Sequence, residues 1–198
     1  EISSLWDIGS TAEKPIAERP PTVWVELVDG SQIQAVQYTV TMGEAAVKLI
    51  DGNSLRVKTR YVQAVRFQVY TSAPELAAQW DEITSTRPAS DLVVIRRSDN
   101  LDQMEGIIHD VTDEVVQFEY NGQTIDAKRT KLDGIVYYHP LSDSPADRLA
   151  RVVDASGSTW NVRSLELAQE RLNLVTVCGV NLSLPPTQLS KIDFSSGN

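Results

Sequence analysis

The sequence is poor in the residues from which most catalytic and metal sites are built. Its 198 residues include one cysteine, Cys178, and two histidines, His109 and His139. A single cysteine forms no intramolecular disulfide and no cysteine-rich metal site. It does not settle the compartment either, since cytosolic and bacterial exported chains can both manage without disulfides. Apolar runs are short, and none approaches the roughly 20 residues that a membrane-spanning helix needs. Basic residues are outnumbered 27 to 18, for a net charge of -9. A phosphate-binding protein usually has the opposite balance, so nucleic acid is not expected as a partner. No glycine-rich phosphate loop, nucleophile-elbow serine or His-Glu zinc helix is present, so neither a catalytic group nor a cofactor or metal site is expected. The remainder, 41% hydrophobic and 23% charged, is ordinary globular composition. The chain opens on Glu1, as expected of a processed chain or of a piece of something longer.

What the sequence does contain is a repeat. Shifting residues 30–67 by 127 places Gly30 on Gly157, Ile33 on Trp160, Val47 on Leu174 and Leu55 on Leu182. The same shift puts Val62 on Leu189, Val65 on Ile192 and Phe67 on Phe194, without a gap. A middle copy joins at a shift of 70, with Gly52 on Gly122, Leu55 on Ile125, Val62 on Leu132, Val65 on Ile135 and Phe67 on Tyr137. Its first half needs a one-residue slip, which brings Ala35 onto Gly106. Three copies of one unit of about fifty residues follow.

Within each copy the apolar residues lie two apart, the period of a half-buried strand. In the first, Val23, Val25 and Leu27 lead to an Asp29-Gly30 turn. Turns at Met42-Gly43-Glu44 and Asp51-Gly52-Asn53 separate the next strands, and the last is expected over Val65 to Val69. Five short strands are too few for a two-sheet sandwich but enough for a small, strongly bent barrel. A unit that small is marginal alone, so the copies are expected to pack on one another or share strands. Between the first two, Pro74 in a first turn and Leu76, Trp80 and Ile83 at helical spacing predict a linker helix. The expected fold is therefore all-β, three tandem five-stranded small barrels with one linker helix. Barrels are expected at 22–70, 91–140 and 148–198, an extended arm at 1–21, the helical linker at 71–90 and a second linker at 141–147.

The order of turns and strands resembles the Sm-like small barrel. A closer resemblance is to the amino-terminal repeat region of bacterial exported proteins that carry the carbohydrate-binding module abbreviated NPCBM. It is carried by Gln79-Trp80, Leu92-Val93-Val94-Ile95-Arg96, Leu101-Asp102, Glu105-Gly106, Asp110-Val111-Thr112 and Gly134-Ile135-Val136-Tyr137-Tyr138. Ile192-Asp193-Phe194-Ser195-Ser196-Gly197 looks like the lead-in to that module. The resemblance implies a non-catalytic scaffold or protein-interaction region of a longer extracytoplasmic protein, periplasmic or secreted. Its expected partner is another protein or the adjoining sugar-binding module. RNA binding, which the Sm-like resemblance raises, lacks its residue signatures: the corresponding turns read Met42-Gly43-Glu44-Ala45 and Val62-Gln63-Ala64-Val65. The three copies carry net charges of +1, -5 and +1, which offers phosphates no basic stripe.

Two other activities have candidate residues. Flat rings stack on sugars, so exposed aromatics would make a glycan- or peptide-binding module; Trp24, Tyr38, Trp80, Tyr137, Tyr138 and Trp160 are the available pieces, with Trp24, Trp80 and Tyr138 the binding candidates. Trp160 and Tyr137 occupy apolar repeat positions and read as core. In the middle copy, Asp99, Asp102, Glu105, Asp110, Asp113 and Glu114 fall within sixteen residues that also hold His109. Paired carboxylates could serve a hydrolase, although their spacing matches no calcium loop and most sit where Asp favours a turn. A Cys178–His139 nucleophile pair is conceivable, but Cys178 reads as a buried small hydrophobe.

Overall fold

The structure, a computed structural model, describes residues 23–68, 73–86, 88–140 and 147–194. The expected arm at 1–21 and most of the linker at 141–147 lie outside the described residues. The first unit runs β1 (Val23–Leu27), β2 (Gln32–Thr41), β3 (Glu44–Leu49) and β4 (Ser54–Lys58), then a 3-10 turn (Thr59–Tyr61) and β5 (Val62–Arg66). After helix α1 (Pro74–Ser85) comes β6 (Asp91–Arg97), β7 (Asn100–Val111), β8 (Val115–Tyr120), β9 (Gln123–Lys128), a second 3-10 turn (Arg129–Lys131) and β10 (Leu132–Val136). The third unit is β11 (Ala150–Asp154), β12 (Thr159–Ala168), β13 (Arg171–Thr176), β14 (Asn181–Leu184), a 3-10 turn (Pro186–Gln188) and β15 (Leu189–Phe194). The fold is all-β with one helix, and its strands join in a single large antiparallel sheet.

The repeat holds at the level of individual hydrogen-bonded partners. Val25 faces Ile33, Val93 faces Met104 and Val152 faces Trp160 across the first hairpin of each unit. The last strand of every unit returns to its first: Val65 opposes Val25, Ile135 opposes Val93 and Ile192 opposes Val152. Each return carries a β-bulge at the same place, at Gln63, Asp133 and Ser190. The bulge lets the strand bend sharply after its 3-10 turn. The one-residue slip of the middle copy falls in its β8–β9 turn, Asn121-Gly122, which is shorter than the turn after β3.

One strand begins earlier than its sequence suggests. The last strand of the first unit starts at Val62 and ends at Arg66, because the 3-10 turn is over by Tyr61 and Val62, Ala64 and Val65 are already buried. Val69 lies outside the described residues.

Within a unit, no ladder joins the fourth strand to the fifth among the described residues. The ladder that does close runs between units. It passes β2–β1–β5–β10–β6–β7 and returns to β2 through Val40 opposite Val111. Val25, Ile33, Val40, Val65, Val93, Val111 and Ile135 from these six strands are buried in one core. The same core takes in Val152, Trp160, Val162 and Leu174 of the third unit, so all three units share one interior, the solution open to a chain whose pieces are too small for separate cores.

Turn chemistry follows the backbone. Met42 and Gly43 take positive φ at +49 and +76, and their repeat equivalents Gln169 and Glu170 do so at +51 and +59. A side chain there crowds its own carbonyl, at a cost of about 1 kcal/mol or more relative to glycine. Glu170→Gly is expected to stabilise the protein by about 1 kcal/mol, read as a higher urea midpoint with unchanged slope.

Candidate functional site at the junctions between units

The contacts between units are made by repeat-equivalent residues meeting one another. At the first junction β5 and β10 run antiparallel, with Val65 opposite its own equivalent Ile135, Ala64 opposite Val136 and Arg66 opposite Gly134. The Phe67 amide donates to the Asp133 carbonyl at 2.7 Å, and the equivalent Tyr137 amide donates to the Gln63 carbonyl at 3.0 Å. The seam has a local two-fold axis through the Val65–Ile135 pair.

Helix α1 covers one face of this seam. Pro74 starts it without needing an amide partner, and the Thr84, Ser85 and Thr86 hydroxyls donate to carbonyls of its last turn. Trp80, a sequence candidate for ligand stacking, is instead 5% exposed and packs with Ala64, Leu92, Val94 and Val136. A β-carbon on Gly134 would stand 2.3 Å from both the Trp80 ring and the Val65 carbonyl oxygen. Gly134 is therefore glycine because ring and backbone occupy the space of a side chain. Gln79 ties the helix to the next hairpin, donating to the Asp99 carbonyl at 3.2 Å and accepting the Leu101 amide at 2.8 Å.

Beside the helix lies a group of charged residues that periodicity alone did not single out: Glu26, Arg66, Asp81 and Asp133. Burial raises the Glu26 carboxyl, helped by Asp81 and opposed by Arg66. Burial also lowers the Arg66 guanidinium, against the pull of Asp81, Asp133 and Glu26. Asp133, on the bulge, is fully buried, and neither of its oxygens accepts a hydrogen bond among the described residues. Burial pushes its carboxyl up to about 6, with Arg66 opposing, and Arg96 Nη1 lies 3.8 Å away. An acid between Leu132 and Gly134-Ile135 in an apolar strand was the available signal. Trp24 is half-buried here, with Arg66 over its ring at 5.7 Å and its indole N–H without a hydrogen-bond partner among the described residues.

On the far side of the shared core, Tyr38 and Tyr137 meet hydroxyl to hydroxyl at 3.1 Å. Burial raises both phenols well above their ordinary range. Arg129 spans the two units: Nη1 donates to the Tyr38 and Thr112 carbonyls at 3.0 Å each, and its plane lies 4.3 Å over Phe67.

The junction between the first and third units is again reciprocal. The Asn161 amide donates to Ser31 Oγ at 2.9 Å, and the Gln34 amide donates to Ser158 Oγ at 3.0 Å. Ser31 and Ser158 are repeat equivalents, as are Gln34 and Asn161, and between them Gln32 opposes its equivalent Thr159. Asn161 Nδ2 also donates to the Asp29 carbonyl at 2.8 Å.

The carboxylates of the middle copy are spread along β7 and its turns. Asp110 accepts the Met42 amide at 2.9 Å and Asp113 accepts Gln37 Nε2 at 2.6 Å, both across the first junction. Asp102 pairs with Arg97 at 2.8 Å and His109 with Glu119 at 3.1 Å. Among the described residues, no group of three or more His, Cys, Asp or Glu is placed to hold a metal ion. Cys178 and His139 have different partners. Cys178 Sγ meets Thr176 Oγ1 at 3.2 Å, and burial pushes its thiol up to about 12. His139 Nε2 lies 2.7 Å from the Val62 carbonyl. Trp160 and Tyr137 are buried, and Tyr138 is 46% exposed. No helix among the described residues is long and apolar enough to cross a membrane. Comparison with known protein families, with curated proteins and with solved structures finds no match.

Two outcomes follow from the seam. Gly134→Ala is expected to cost about 3 kcal/mol in urea unfolding, because either Trp80 or the strand pair must move; a loss under 1 kcal/mol would place the helix elsewhere. Asp133 holds its proton more tightly folded, near 6, than unfolded, near its ordinary value of 3.8. Its burial is therefore least costly below pH 4, and the penalty grows as pH rises through 6. Asp133→Asn is expected to raise the thermal midpoint at pH 8, with the gain shrinking through pH 6 and vanishing by pH 4.

Proposed function

We propose that this chain is a non-catalytic scaffold, a protein-interaction region of a longer extracytoplasmic protein that holds an adjoining carbohydrate-binding module in place. In this reading the three units are small barrels of the Sm-like kind. The shared strand order and the 3-10 turn before each last strand support it.

One observation carries the scaffold reading: several polar residues suited to chemistry tie the units together. Asp110 and Asp113 bridge the first junction, and Asp29 and Asn161 bridge the first and third units. A carboxylate held by a backbone amide orients a loop, as Asp110 does for the turn at Met42. Fixed junctions are what a spacer needs, since they convert a string of small units into one rigid body.

Crosslinking of the intact parent protein, read by mass spectrometry, is expected to place this region against its adjoining module or a protein partner. Asp110→Asn and Asp102→Asn are expected to leave those crosslinks unchanged. Hydrolysis of any glycan or peptide in a substrate panel, lost on either substitution, would overturn the reading. Exposed Tyr138 favours the second reading, a glycan- or peptide-binding surface; a glycan-array signal lost on Tyr138→Ala would establish it instead.

A further inference from the structure

The third unit presents an edge that its two siblings have already used. β5 and β10 pair with each other, whereas β15 pairs only with β11 among the described residues. The consequence is visible at one repeat position. Phe67 and Tyr137 are 8% and 6% exposed beside the first junction, while their equivalent Phe194 is 62% exposed. Val65 and Ile135 are fully buried, and Ile192 is only partly so.

We propose that β15 is a dimerisation edge and that its occupant is β15 of a second copy of this chain, paired in the register of the β5–β10 seam. That seam already shows how this strand meets its like. Transferring its register sets Ile192 opposite Ile192 of the second copy, as Val65 stands opposite Ile135. The Phe194 amide then donates to the Ser190 carbonyl of the other chain, and the reverse bond forms by symmetry. These repeat the Phe67-to-Asp133 and Tyr137-to-Gln63 bonds.

The side chains fit this register. Lys191 falls opposite Asp193 of the second copy, and Asp193 opposite its Lys191, so two oppositely charged pairs form across the axis. Within one chain the two groups already meet at 2.9 Å on the exposed face. At the equivalent positions of the first two units stand Ala64, Arg66, Gly134 and Val136, three of them apolar or without a side chain under helix α1. The third unit has no such cover, and its two charges can stay in water on the outer face of a dimer. A solvated lysine also guards an edge against indiscriminate pairing, but a lysine and an aspartate placed symmetrically about Ile192 select one partner and one register. The other hairpin junction offers no competing site: the third unit spends it on the first, and in the middle unit Gln79 of α1 caps the corresponding hairpin.

This inference deepens the scaffold reading, on which it rests for purpose though not for geometry. Sedimentation equilibrium of the whole chain from 1 to 100 µM is the test. A mass rising to twice that of one chain is expected. Lys191→Glu alone and Asp193→Lys alone each set like charges opposite, and each is expected to weaken the dimer at least ten-fold at 50 mM salt. The double variant K191E/D193K restores complementarity and is expected to recover wild-type association. Circular dichroism confirms that each variant is folded. A wild-type monomer at every concentration would overturn the dimer, as would association insensitive to both single reversals or a double variant without rescue. A monomer that still crosslinks to its adjoining module would overturn the dimer and leave the scaffold reading intact.

Discussion

The last strand of each unit carries a row of backbone amides and carbonyls on its outer edge, and those groups need partners. In the first two units they find each other. The β5–β10 seam satisfies both edges at once, buries Val65 and Ile135, and closes the six-strand ladder around a common core. The first two units owe their shared interior to this pairing. Because the two strands are equivalents, the seam is self-complementary, and a local two-fold relation follows without any further instruction in the sequence.

The same economy explains where the polar residues went. Ser31 and Ser158 each accept the amide of the other unit's Asn161 or Gln34, so one repeated serine serves both sides of the second junction. Glycine marks the closest approaches: Gly134 lies under Trp80, and Gly157 and Gly30 face the side chains of Gln34 and Asn161. Asp133 is the costly exception. It sits at the bulge position that holds Gln63 and Ser190 in the other units, and it is the one of the three that carries an acid beneath the helix. Its elevated titration reflects the burial of its carboxyl, which Arg66 only partly offsets.

Much of the fold was legible. Alternation of apolar residues, Asp-Gly, Asn-Gly and Met-Gly turns and the two shifts of the repeat located the strands, and a proline followed by Leu76, Trp80 and Ile83 located the helix. Apolar alternation alone does not mark the start of the strand at Val62, because the 3-10 turn before it has no periodic signature. The aromatic candidates were only partly separable: Trp80 and Tyr138 are both large rings near apolar runs, and only the helix packing buries one and leaves the other half exposed. The cluster of Glu26, Arg66, Asp81 and Asp133 draws on strands of two units and the helix between them, so no local window contains it.

By itself the sequence determined the local chemistry: which residues alternate, where the chain turns, and that one unit is written three times. Those are short-range properties, decided by side-chain period and by the backbone freedom of individual residues. Only the tertiary structure decided which edge meets which. Three nearly identical units have nearly identical edges, and strand pairing depends on backbone groups that every sequence shares. The pairing of β5 with β10, and of β15 with β11 alone among the described residues, appears only when the units are placed together.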